Sequence, residues 1–117
     1  MKNKILIACL MLASQLNIAQ EWKPAGSKIL TQWGENVSPN QPHPEYPRPI
    51  LVRENNWQNL NGLWNYAITW SEQTEFPNKW DGKILVPYAI ESALSGVGKE
   101  VGKDKALWYH NTITLTK

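Results

Sequence analysis

Leu63-Trp64-Asn65-Tyr66-Ala67-Ile68-Thr69-Trp70 is the stretch whose reading decides the fold. Trp64, Tyr66, Ile68 and Trp70 fall on one face and Leu63, Asn65, Ala67 and Thr69 on the other, a period of two that predicts a half-buried β-strand. A helix would scatter those four large side chains around its circumference, so the aromatic face is expected to meet a core, with Trp64 and Trp70 as members. Immediately upstream, Asn61-Gly62 signals a tight turn. Downstream, 72–81 is polar, contains Pro77 and closes on a second turn signal, Asp81-Gly82. Lys83-Ile84-Leu85-Val86 then reads as a short buried strand stopped by Pro87.

Further along, small residues at 91–98 predict a flexible loop, followed by a charged stretch at 99–105. Gly96, Gly98 and Gly102 lack the spacing of a dinucleotide-binding loop, and no helical pattern follows them. Residues 107–116 alternate again, with Leu107, Tyr109, Ile113 and Leu115 on one side, and are expected to form the best strand of the chain. Three strands, long loops and no convincing amphipathic helix make the class all-β. The last strand has no further strand to pair with, so a truncated sandwich is expected.

Working toward the front, 21–36 reads as a loop-like lead-in, and 37–49 holds Pro39, Pro42, Pro44, Pro47 and Pro49. That density removes backbone donors and fixes φ, which excludes helix and interior strand and predicts an extended strap lying along a domain surface. The rival reading, a proline-rich ligand for a signalling module, does not suit an exported protein. Export is expected because Lys2 and Lys4, an apolar run at 5–13 and a small residue at Ala19 have the layout of a signal peptide over 1–19. A lipid-attached Cys9 is the weaker rival, since few apolar residues precede it.

Removing that segment takes away Cys9, the chain's one cysteine, and with it disulfides, thiolate zinc sites and cysteine nucleophiles. It also brings 12 basic residues against 10 acidic to a balance of 10 against 10, because Lys2 and Lys4 leave with it. A neutral chain has no electrostatic footprint for nucleic acid. The apolar run is too short to span a bilayer, so no membrane association is expected after processing.

Chemistry is sparse. Glycoside hydrolysis needs two positioned carboxyl groups, and Glu45, Glu54, Asp81 and Glu91 sit in no distinguishing context. His43 lies among prolines and His110 within a strand, so both read as structural, and two histidines without cysteine give no metal site. No cofactor is expected. Seven tryptophans in 117 residues invite a carbohydrate-binding argument, because an indole face stacks on the C–H face of a sugar ring. Trp22 and Trp33 lie where an exposed platform is open to the chain, while Trp57, Trp80 and Trp108 fit either platform or core.

Several segments together resemble glycoside hydrolase family 2, which includes β-galactosidases, β-glucuronidases and β-mannosidases. They are Tyr46-Pro47-Arg48-Pro49-Ile50-Leu51-Val52-Arg53, Trp57-Gln58-Asn59-Leu60-Asn61-Gly62-Leu63-Trp64-Asn65-Tyr66, Asp81-Gly82-Lys83-Ile84-Leu85-Val86-Pro87, Glu91-Ser92-Ala93-Leu94-Ser95-Gly96-Val97 and Leu107-Trp108-Tyr109. Their order and spacing carry the resemblance. It implies an incomplete jelly-roll sandwich, galactose-binding-like, over 50–117, preceded by the signal peptide at 1–19 and the lead-in and strap at 20–49. In that family an immunoglobulin-like domain and a catalytic barrel follow, and the catalytic glutamates lie in the barrel, so no residue here inherits a catalytic role. A (β/α)₈ barrel needs roughly 250 residues, more than this chain has. The resemblance implies Asn111 as the one sugar-binding candidate, a carbohydrate substrate as partner, and a periplasmic or extracellular location. The expected function is thus the N-terminal portion of an exported glycosidase acting on β-linked sugars, with a stand-alone carbohydrate-binding module as the alternative. A surface scaffold without sugar affinity is a third.

Overall fold

The computed structural model describes residues 21–27, 29–45 and 57–115. The expected signal peptide, Cys9, the end of the strap beyond Glu45 and the segment containing Glu54 lie outside the described residues. What is described is mostly strand and coil, as the all-β class requires: one antiparallel sheet of three strands and almost no helix. In chain order the elements are a four-residue helix α1 (Gln32–Glu35), β1 (Gly62–Trp70), β2 (Gly82–Val86), a single 3-10 turn (Ala93–Ser95) and β3 (Lys105–His110). The sheet order is β2-β1-β3, so the alternating aromatic strand is the central one.

Register places Trp64 opposite Ile84, Tyr66 opposite Gly82 on one side and Tyr109 on the other, and Ile68 opposite Leu107. These residues share one face, and Ile90, Val97 and Val101 from the β2–β3 connection close over it. Ile84 is fully buried here, a side chain whose removal from water stabilises by about 1.5–3 kcal/mol. Gly82 permits the packing: a Cβ there would come within 3.4 Å of the Tyr66 ring. The opposite face buries Ala67 and Leu85 and carries Trp108, whose indole N–H donates to Thr69 Oγ1 at 2.8 Å.

Four expectations change. Trp70 is 61% exposed rather than core. It ends β1 opposite Lys105, whose ammonium lies 3.0 Å from the centre of its ring, an arrangement that keeps the charge in water while using the ring's negative face. β3 stops at His110 instead of running to residue 116, and Ile113 and Leu115 are exposed. The Asn111 side-chain oxygen accepts from Thr112 N at 2.9 Å, a local bond that competes with the ladder at the place where the strand ends. Asn61-Gly62 makes no tight turn. Instead Asn61 donates from its amide to the carbonyl of Pro42, Asn59 donates to that of His43, and Gly62, at φ +140°, opens β1. The clamped part of the strap is correspondingly bent rather than extended, with turns and bends over 39–43 and His43 at φ +48°.

The lead-in belongs to the same packed unit. Thr31 caps α1 by accepting from Gly34 N at 3.2 Å, and Ala25 N donates to Ala93 O at 2.7 Å. The loop over 91–98 is organised around Ser95, which is fully buried. Its hydroxyl reaches the carbonyls of Ser92 and Ile90 at 2.7 and 3.1 Å and accepts from the amides of Val97 and Gly98 at 3.0 and 3.3 Å. Gly96 follows in the left-handed region at φ +79°, and a Cβ on it would lie 2.9 Å from the Trp22 indole. Only glycine satisfies both the backbone angle and the approach of that ring. No helix among the described residues is long and apolar enough to cross a membrane.

Candidate functional site

The end of β3 holds the residue proposed from sequence. Asn111 is exposed, one position past the strand, and its side-chain oxygen is engaged with the backbone of Thr112. Its neighbour His110 lies opposite Asn65 in the register, with Asn65 Nδ2 3.4 Å from His110 Nδ1. Trp80, from the β1–β2 loop, stacks on the imidazole at 5.1 Å between centroids and 19° between planes. Phe76 completes the cluster, edge-on to Trp80 at 6.0 Å and tilted against Trp108 at 5.7 Å. Ring pairs of this kind contribute about 0.5–1.5 kcal/mol beyond burial, which fastens the loop to β3 and makes Trp80, Trp108 and His110 structural.

On the other face Tyr109 has its phenol pushed above the ordinary 10.0, first by burial and second by the Glu91 carboxylate. The Glu91 carboxylate thus acts electrostatically on a phenol 18 positions away in the chain.

At the strap, Glu45 Oε2 lies 3.9 Å from His43 Nδ1, and His43 Nε2 lies 3.2 Å from the Tyr88 hydroxyl. Burial and then Glu45 raise the Tyr88 phenol as well. A carboxylate, an imidazole and a hydroxyl in sequence have the order of a proton relay. The Glu45 and His43 side chains are 75% and 59% exposed, however, so the array is bathed in water, and its evident work is to hold the strap against the residue after Pro87.

A third feature was invisible in the sequence. The lead-in, the start of β2 and the Ser95 loop enclose a cleft of about 690 Å³. Glu21, Trp22, Lys23, Tyr66, Asp81 and Lys83 line it, over a floor that includes Gly82 and Gly96. Asp81 Oδ2 accepts from Ile68 N at 2.8 Å while its own amide donates to Tyr66 O at 2.8 Å, which fixes the carboxylate at the sheet margin. Trp22 is a platform residue by sequence, but nothing in residue order ties it to Tyr66. Trp33, the other platform residue, is 74% exposed and is not part of this lining.

Among the described residues no group of three or more His, Cys, Asp or Glu side chains is placed to hold a metal ion. No protein-family model matches the chain, and a search of curated proteins finds no match.

Proposed function

We propose that this chain is the N-terminal portion of an exported glycoside hydrolase similar to family 2, acting on β-linked sugars through a catalytic barrel outside it. The observation that carries the reading is the joint placement of those resembling segments that fall within the described residues. Leu60-Asn61-Gly62-Leu63-Trp64 opens β1, with the Trp64 indole N–H donating to Leu60 O at 2.8 Å. Gly82-Lys83-Ile84-Leu85-Val86 is β2, Glu91 to Val97 surround the 3-10 turn packed against it, and Leu107-Trp108-Tyr109 lie within β3. Segments distant in the chain thus become neighbours in one sheet, as pieces of a sandwich domain have to. The missing layer of a jelly-roll belongs to the same proposal. The physical role of this part is to bury its aromatic strands, brace the domains that follow and bring Asn111 to the rim of a sugar pocket.

The test is to read the gene beyond the codon for Lys117 and to assay both lengths. The longer polypeptide is expected to release the chromophore from a nitrophenyl β-glycoside, and this chain alone to release none. Hydrolysis by this chain, or a reading frame that continues into no strands and no barrel, would refute the proposal. The 74% exposure of the Trp33 indole favours a second reading, a carbohydrate-binding module working alone. Sugar-dependent Trp emission from this chain, with no barrel encoded downstream, would select it.

A further inference from the structure

The cleft beneath the lead-in has no part in the proposal above, yet two polar groups on its walls lack partners. Tyr66 is only 6% exposed as a residue, but its hydroxyl, which makes no hydrogen bond among the described residues, is open to solvent in the cleft. Trp22 Nε1 is buried without an acceptor, the one such side-chain atom among the described residues. A buried donor left unpaired costs about 1–3 kcal/mol, whereas the Tyr66 hydroxyl stands free to bond whatever enters the cleft. Native structures keep few unpaired buried donors, and a polar ligand or ordered water is the usual completion.

The surroundings define the chemistry of what completes them. Glu21 and Asp81 are balanced by Lys23 and Lys83, so the lining is neutral and a charged ligand gains nothing from it. An apolar ligand would leave the Tyr66 hydroxyl unpaired and strip water from four charges. A ring bearing several hydroxyls suits the Tyr66 and Asp81 side of this lining. It accepts from the Tyr66 phenol, donates to the Asp81 oxygen not used by Ile68 N, and lays its C–H face on the indole. Tyr66 carries the contact; the Trp22 N–H, which lies against Gly96, is engaged only if the lead-in shifts. The volume of about 690 Å³ falls within the range of about 300–1,000 Å³ for small-molecule sites.

The geometry points to this cleft as a binding site for a neutral sugar of one or two rings, with Tyr66, Asp81 and Trp22 as its contacts. Asn111 does not line it, and the site stands whether or not a hydrolytic domain follows.

The experiment is a titration of the nitrogen-15-labelled full chain with glucose, galactose, mannose and lactose, and separately with inorganic phosphate, followed by amide and indole resonances. At least one sugar is expected to give saturable shifts at the Gly82 amide and the Trp22 indole, and phosphate none. Tyr66→Phe should weaken that sugar about tenfold while leaving the thermal midpoint unchanged or higher, since it deletes only an unpaired hydroxyl. Trp22→Phe should abolish the indole signal and weaken binding too. The inference is overturned by an absence of shifts with every sugar at tens of millimolar, by equal shifts with phosphate, or by undiminished affinity in Tyr66→Phe. It is equally overturned if Tyr66→Phe unfolds the chain, which would mean the hydroxyl is structural. Shifts confined to Trp33 would overturn the cleft yet support the module reading, so the two fail separately.

Discussion

One hydroxyl, that of Ser95, ties together four backbone groups in the loop after β2: the amides of Val97 and Gly98, and the carbonyls of Ile90 and Ser92, which also accept from Lys99 N and Ser95 N. Ser95→Ala leaves the part-buried amides of Val97 and Gly98 without that acceptor and should cost about 1 kcal/mol, measured as a lowered midpoint in urea unfolding. A second residue-scale consequence concerns pH. Burial and Glu91 raise the Tyr109 phenol, so the folded state holds its proton above the pH at which the unfolded chain releases it. The stability from this group is therefore complete below 10.0, its ordinary value, and is lost as pH climbs through the raised folded value. Ultraviolet titration of the phenolate should show a late component that vanishes in Tyr109→Phe and moves part of the way down in Glu91→Gln. None of this was legible in residue order: Ser95 looked like one small residue in a glycine-rich loop, and a hydroxyl's partners depend on where the backbone folds back. The same holds for Tyr66, whose strand face was readable but whose unpaired hydroxyl was not.

At the level of elements, period-two alternation located β1 and β3, because side chains on a pleated strand have no other spacing, while β2 was legible as a short apolar run between Asp81-Gly82 and Pro87. It misjudged the end of β3, where Thr112, Ile113, Thr114 and Leu115 continue the pattern but leave the ladder. Alternation measures suitability for a sheet; pairing also requires the chain to stay in plane, and the local bond at Asn111 lets it leave. Ile113→Asp and Leu115→Asp should accordingly stay within about 0.5 kcal/mol of the parent, whereas Leu107→Ala should cost about 2 kcal/mol or more. Chemical denaturation of the three variants measures the contrast, and a costly Leu115→Asp would restore the longer strand. The Asn-Gly signal erred for a related reason. Asn61 has the side chain of a turn former, but the strap carbonyls of Pro42 and His43 claim its amide.

For the molecule as a whole, β2 and β3 each present an outer edge with no strand paired to it among the described residues. Unpaired edges of a three-stranded sheet are templates for association. This chain by itself is therefore expected to self-associate, with an average mass by light scattering that rises with concentration. A monomer of constant mass with a cooperative thermal transition would count against it. The all-β class followed from strand pattern alone, because patterning is a property of segments. The cleft did not, because it forms where the lead-in crosses the sheet, and packing between remote stretches leaves no periodic trace. That crossing has a practical corollary for anyone shortening the protein. A version trimmed to begin at the first strand would lose the indole that covers Gly96 and the amide that Ala25 gives to Ala93. It would leave a left-handed glycine facing solvent where a large ring belongs, so the smallest piece worth expressing starts ahead of Trp22.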